Sequence, residues 1–223
     1  MKPPFYAIAT YLLGLTLRVG TRFQVEGKEN VPPFGPLLVV SNHMSYLDPP
    51  LLSVCIPRHI TFLVKVGVYD NPIGFLFSRG WGAVPIERGG PRDLGAMKAA
   101  LRALRQDRVI GLFPEGTRSR GQLQEAKPGV ALLAVRSQAP VLPVAITGTE
   151  KSRALQGVLS YPHITVRIGQ PFTLPKVEGR LTSDHLRSLT EMIMGRIVAM
   201  LPPRYHGVYT HLALKRPTAG VPF

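Results

Sequence analysis

The sequence predicts an α/β fold: a single domain with a mostly parallel central sheet flanked by helices. From about residue 37 onward, short β-branched runs alternate with helical patterns, which is how βαβ units read. A chain of 223 residues holds one sizeable core and cramps a second. With 45% hydrophobic and 18% charged residues it is too apolar to be disordered, and its 22 Gly and 22 Pro suit many tight connections.

The N-terminal stretch MKPPFYAIATYLLGLTLRVG carries no charge between Lys2 and Arg18. As a helix those residues reach roughly 22 Å, short of a roughly 30 Å hydrocarbon core. No small-residue cleavage site follows, which argues against a secretory leader. Phe5, Ile8, Ala9, Leu12 and Leu13 recur at helical spacing, a stripe that suits a core face and an interfacial membrane helix alike.

Strands are predicted over Leu37–Ser41, Ile60–Lys65, Ala83–Glu87, Val109–Phe113, Val141–Thr147 and Ile164–Ile168. Helices fill the gaps. In PRDLGAMKAALRALRQ the residues Leu94, Met97, Leu101 and Leu104 make an apolar stripe with Lys98, Arg102 and Arg105 on other faces. Further helices are predicted over 129–137 and 183–200, and beyond Pro202 the tail breaks pattern.

The formal charge of +14 attracts phosphates, on lipid headgroups, nucleotides or nucleic acid alike. Aromatic content is 8% and no RNA- or DNA-binding signature is present, so a nucleic-acid partner is not expected. Cys55 is the only cysteine and has apolar neighbours, which suits a core residue better than a nucleophile. The histidines at 59, 163, 185, 206 and 211 show no close ligand spacing, and no metal is expected.

In VVSNHMSYLDPP, His43 follows a strand, at the carboxyl end where open α/β sheets place their sites. His43 and Asp48 lie five positions apart, which a continuous helix would separate by roughly 140°. Pro49 and Pro50 place a helix start at Asp48, so the pair can meet across a turn. Asp48 then reads as an N-cap, one oxygen accepting a first-turn N–H and the other accepting Nδ1–H of His43, leaving Nε2 free as a base. Spacing alone leaves catalysis, a plain turn with a cap, and a metal site all open. There is no G-x-S-x-G elbow to support Ser41 or Ser45 as a nucleophile.

A second site-like run, GLFPEGTRSRG, also follows an apolar strand. Glu115, Thr117, Arg118, Ser119 and Arg120 crowd a Pro/Gly turn whose donors suit a phosphate monoester, although the same composition also makes a solvated loop. Between the two, Arg88 ends GAVPIER, and residues 79–120 carry nine Lys/Arg against four Asp/Glu.

In order and spacing these segments resemble the 1-acyl-sn-glycerol-3-phosphate (lysophosphatidic acid) acyltransferase family of glycerolipid acyltransferases. NHMSYLD matches the family's His-four-residues-Asp block, GAVPIER its Gly-x-x-x-Ile-x-Arg block, FPEGTRS its Phe-Pro-Glu-Gly-Thr-Arg-Ser block and VLPVAI its Val-Pro block. Each block alone is weak to moderate, and four in order over residues 42–146 are a strong signal.

The resemblance implies that His43 is a general base held and charged by Asp48, and that Arg118, Lys65 and Arg88 bind the acceptor phosphate. Glu115, Gly116, Thr117 and Ser119 would shape the acceptor site, and Pro143 would lie on the acyl side, with the run at residues 71–81 a further candidate to line it. It implies transfer from an acyl thioester, acyl-CoA or acyl carrier protein, to lysophosphatidic acid, with no other cofactor. Glycerol 3-phosphate or another lysophospholipid is the alternative acceptor. The partner surface would be a phospholipid bilayer, met by a peripheral or monotopic protein on the cytoplasmic face. On this reading residues 1–30 are a membrane-associating helix and linker, 31–201 the acyltransferase domain and 202–223 a tail.

Overall fold

The run LLVVS is buried at every position, as expected of a strand covered on both faces, and it forms β2 (Leu37–Ser41) at the heart of the sheet. The computed structural model describes residues 4–65, 67, 80–81, 83–86, 91–119, 121–151, 161–177 and 179–214. Among them the other strands are β1 (Arg22–Glu26), β3 (Ile60–Lys65), β4 (Val84–Ile86), β5 (Val109–Leu112), β6 (Val141–Thr147) and β7 (His163–Ile168). The helices are α1 (Pro4–Gly20), α2 (Asp48–Cys55), α3 (Pro91–Arg105), α4 (Gly129–Ser137), α5 (Ser183–Val198) and α6 (Thr210–Leu214).

The strands form one seven-stranded sheet in the order β1-β7-β6-β2-β5-β3-β4. β6, β2, β5, β3 and β4 run parallel; β7 is antiparallel to β6 and carries β1 with it, parallel to β7. The α/β expectation with a mostly parallel sheet therefore holds. The central parallel order sets the site, because β2 and β5 are neighbours in register, Leu38 opposite Ile110 and Val40 opposite Leu112. Their carboxyl ends emerge side by side.

β1 was expected to be linker. It alternates half-buried Phe23 and Val25 with exposed Arg22, Gln24 and Glu26. An edge strand needs only one apolar face, so two apolar residues suffice and the charges mask it. The N-terminal segment thus contributes to the sheet.

α1 packs through a face other than most of its apolar stripe. Tyr6, Thr10 and Leu17 face inward, whereas Phe5, Ile8 and Leu12 of the apolar stripe are more than half exposed. Gly14 allows close approach to α2, since a Cβ there would stand 3.3 Å from Val54. The Tyr6 hydroxyl accepts the N–H of Ile60 at 3.3 Å and its ring meets His59 edge-on at 4.4 Å. The helix carries apolar residues on its exposed face as well as its buried one, and Tyr6 packs inward with its hydroxyl hydrogen-bonded. Among the described residues no helix is long and apolar enough to cross a membrane.

At the amino ends of the strands, away from β2's carboxyl end, Arg58 ties the loop before β2 to the turn before β5. Its guanidinium donates to the carbonyls of Pro32, Phe34, Gly35 and Asp107. Cys55 is buried, and burial pushes its thiol up to about 12, as suits a core residue.

Candidate active site

The chain leaves β2 through Asn42, which is 2% exposed and replaces two ladder hydrogen bonds with its side chain. Its Nδ2 donates to the carbonyl of Ile146 at 2.9 Å and its Oδ1 accepts the N–H of Ile146 at 2.8 Å. β2 and β6 are thereby locked together one residue before His43. The sequence reading assigned Asn42 no role; an Asn directly after a buried strand is the signal that it bridges backbone.

His43 is then held on every side but one. Its Nδ1 lies 2.9 Å from Asp48 Oδ2. Its amide N–H donates to Glu115 Oε1 at 2.9 Å, and its carbonyl accepts the N–H of Ser119 at 2.7 Å. The ring stacks on Phe113 with centroids 4.1 Å apart, and Phe113 stacks on Phe62 in turn. Phe62 crosses β5 at Gly111, where a Cβ would come within 2.5 Å of the ring, so a glycine is required for the stack to form. Among the described residues Nε2 has no hydrogen-bond partner, and the residue keeps partial exposure.

Asp48 meets His43 as expected, by other means than an N-cap. It is the first residue of α2, the cap position falls on Leu47, and no side chain caps the helix. Asp48 Oδ2 instead reaches back across the turn and accepts the N–H groups of Met44 at 2.6 Å and Ser45 at 2.7 Å as well as the imidazole. Oδ1 is buried and, among the described residues, without a hydrogen-bond partner. With Pro at positions 49 and 50 two of the first-turn N–H groups do not exist, so the carboxylate turns to the donors that do. The outcome for the ring is the one the cap would have given. An oxygen already accepting two N–H groups acts as acceptor toward Nδ1–H, and the tautomer leaves a lone pair on Nε2.

The loop after β5 starts as a turn in which Gly116 N–H donates to the carbonyl of Phe113 at 3.0 Å, with Pro114 in second position and Gly116 at φ 70°. This turn folds Glu115 inward. Glu115 is 3% exposed, its Oε2 accepts the N–H of Gln124 at 2.9 Å, and its Oε1 takes that of His43. Burial pushes its carboxyl up to about 7, against the pull of those two N–H groups and with a further push from the Asp48 charge.

Glu115 thus braces His43 from below, Ser119 is buried beside it, and Thr117 and Arg118 are exposed at the rim. Arg118 lies over the ring of Tyr46, its guanidinium carbon 3.4 Å from the centroid and Nη2 donating to the hydroxyl at 2.8 Å. Tyr46 sits inside the same turn as His43, and the sequence reading missed it. An aromatic between a His and an Asp has no signal of its own until the second loop is known to lie beside it.

Lys65 ends β3, which runs parallel to β5, so its backbone belongs to the same edge of the sheet. Arg88 and residues 71–79 of the apolar run lie outside the described residues. Trp81, at the end of that run, is buried and donates its indole N–H to Ser53 at 2.8 Å. Pro143 is buried in β6 opposite Val40, and its carbonyl accepts the N–H of Gly169 at 2.9 Å. The hydroxyl of Ser41 turns to the carbonyl of Asn42, and that of Ser45 accepts the N–H of Leu47.

Comparison with known proteins shows what this chain is similar to. The chain is 33% identical over 156 residues to the chloroplastic 1-acyl-sn-glycerol-3-phosphate acyltransferase LPAT1 of Arabidopsis thaliana, covering 67% of this chain and 43% of that one. It is 26% identical over 184 residues to the 1-acyl-sn-glycerol-3-phosphate acyltransferase of Bacillus subtilis, covering 82% of this chain and 89% of the other. The chain therefore spans less than half the length of the plant relatives it matches. The crystal structure of the 1-acyl-sn-glycerophosphate (LPA) acyltransferase PlsC from Thermotoga maritima superposes with a TM-score of 0.60 at 26% identity, covering 83% of this chain and 78% of that one. A family model described as acyltransferase matches residues 22–147, from β1 to the end of β6 and through both loops around His43, and the chain belongs to the acyltransferase family.

Proposed function

We propose that this protein transfers a fatty acyl group from an acyl thioester, acyl-CoA or acyl carrier protein, to the sn-2 hydroxyl of 1-acylglycerol 3-phosphate, giving phosphatidic acid for phospholipid synthesis. The observation that carries the proposal is the held imidazole, with Nδ1 on Asp48, backbone on Glu115 and Ser119, and Nε2 open beside the loop that bears Arg118. The names of the relatives supply the substrate class.

The chemistry follows from that arrangement. An alcohol is too weak an acid to lose its proton unaided near neutral pH, and a base at hydrogen-bond distance is worth typically about 10² to 10⁴ in rate. His43 Nε2 takes the hydroxyl proton as the oxygen attacks the thioester carbonyl, and Asp48 stabilises the imidazolium that forms. The tetrahedral intermediate then expels the thiolate, which leaves as the free thiol with the proton from Nε2. No acyl-enzyme forms and no cofactor is needed.

Arg118 with Lys65 and Arg88 would hold the acceptor phosphate, with Gly116, Thr117 and Ser119 shaping the loop around it and Pro143 on the acyl side. Fixing a charged headgroup places its hydroxyl beside Nε2, and orientation is the larger part of the gain. The exposed apolar face of α1 suits docking on the cytoplasmic face of a bilayer as a peripheral or monotopic protein, with the +14 charge drawn to anionic headgroups. Radiolabelled acyl transfer to lysophosphatidic acid with each donor type, wild type against His43→Ala, tests the reading. Product from wild type and none above background from the variant is expected, and equal turnover by both would refute it.

A further inference from the structure

Residues 203–209 make two short turns that lead into α6, all outside the stretch the family model matches. They dock on residues 121–127, the continuation of the loop that carries Glu115 and Arg118. The carbonyl of Tyr205 accepts the N–H of Leu123 at 2.8 Å, and the carbonyl of Leu123 accepts the N–H of Val208 at 3.3 Å. Three residues further on, the Tyr209 hydroxyl accepts the N–H of Ala126 at 2.8 Å. Tyr205, His206 and Tyr209 are all buried.

The approach is as close as backbones permit. Gly207 adopts φ 53°, and a Cβ on it would stand 2.1 Å from the Leu123 carbonyl oxygen. Only glycine satisfies both the space and the conformation.

The other side of the same seven-residue loop faces the site. Gln124 N–H donates to Glu115 Oε2, and Lys127 N–H donates to the carbonyl of Pro114 at 2.9 Å. Glu115 Oε1 accepts the N–H of His43. The N–H groups of Leu123 and Ala126 thus serve the tail, and those of Gln124 and Lys127 serve the turn that braces the imidazole and carries Arg118.

The geometry points to the C-terminal segment, through Gly207 and Tyr209, as a positioning element for the acceptor-phosphate loop and the His43 brace. This rests on the proposal that Arg118 binds the acceptor phosphate. A segment that only completes the core changes how much enzyme is folded, and that lowers the maximal rate without touching any KM. A segment that positions the loop changes the KM for the phosphate-bearing acceptor and leaves that for the thioester donor alone.

The test uses the full chain with lysophosphatidic acid and an acyl thioester, in Tyr209→Phe, which keeps the ring, and Gly207→Ala, which intrudes on Leu123. Acceptor KM should rise about fivefold in Tyr209→Phe, the scale of one lost hydrogen bond, with donor KM within about twofold of wild type. Amide exchange at Leu123 and Ala126 should accelerate in both variants. If Gly207→Ala does not fold, Tyr209→Phe decides alone. A lowered melting temperature with both KM values unchanged, or an equal rise in both, would overturn the inference. Arg118→Ala run alongside separates the two claims, because an unchanged acceptor KM there removes the phosphate role whatever the tail variants do.

Discussion

Glu115 and His43 meet through the backbone: Glu115 Oε1 accepts the His43 amide N–H at 2.9 Å across 72 positions of sequence. The carboxylate therefore acts on where the imidazole stands. It is buried and also accepts the Gln124 N–H, so neither of its oxygens is turned to solvent. Glu115→Gln must set its amide NH₂ against one of those two donors. A fall in kcat of about 10- to 100-fold is expected, the scale of one unsatisfied buried donor.

The same residue gives stability a pH dependence. Burial raises the Glu115 carboxyl from 4.5 to about 7, so the folded protein holds this proton more tightly than the unfolded chain does. The stabilisation from the held proton is complete below 4.5 and is lost as pH rises to about 7. Glu115→Gln carries no such proton. In urea titrations, wild-type stability relative to the variant should fall over that range by on the order of 3 kcal/mol. A flat difference would show that Glu115 titrates as an ordinary surface carboxylate does.

Asp48 Oδ2 serves the imidazole and two turn N–H groups at once, so charge and architecture can be separated by substitution. Asp48→Asn keeps an acceptor for the turn and removes the charge beside the imidazolium. We expect kcat to fall by about 10² to 10⁴ with acceptor KM nearly unchanged. Asp48→Ala should in addition destabilise the fold by about 1–3 kcal/mol, because the N–H groups of Met44 and Ser45 lose their partner. Steady-state kinetics with a melting curve for each variant reads both effects.

Arg118 at the rim is held over Tyr46 by stacking and one hydrogen bond. Arg118→Ala should raise the acceptor KM by about 10- to 100-fold, the scale of a charge-assisted contact to phosphate. Tyr46→Leu should raise it by about three- to fivefold, since an exposed cation–π contact contributes about 0.5–1 kcal/mol. Donor KM is the control in both, and a parallel rise there would argue against a phosphate role.

Exposed Ile8 and Leu12 lie on the face of α1 opposite Tyr6 and Leu17, and their replacement leaves the buried face of the helix intact. The double variant Ile8→Glu, Leu12→Glu should lose sedimentation with anionic phospholipid vesicles and melt within a few degrees of wild type. Burying two such side chains is worth roughly 1.5–3 kcal/mol each, enough to set the binding. Undiminished sedimentation would move membrane contact to another surface.

The parallel strands and long helices were legible because their apolar runs are continuous and bounded by turn residues, as in Leu37–Ser41 and Val141–Thr147. β1 was not, because an edge strand half exposed to water shows its polar face as plainly as its apolar one. The stripe of α1 suited a core face and an interfacial helix alike, because apolar spacing on a helix does not say which of the two covers it. The Asp48 cap was misread because a residue before two prolines has the sequence of a cap, while its carboxylate found better donors behind it.

By itself the sequence determined that His43 and Glu115 each follow a buried strand, and that the residues after them are turns rich in donors. Only the tertiary structure decided that those two strands are neighbours, that the Glu115 carboxylate accepts the His43 N–H, and that the tail from residue 203 holds the loop beyond. Periodicity and turn chemistry act over a few residues and are written locally. Which strand ends stand together is set by how the whole sheet closes its core, so the contacts of residue 115 with 43 and 124, and of 123 with 205, exist only once that sheet has formed.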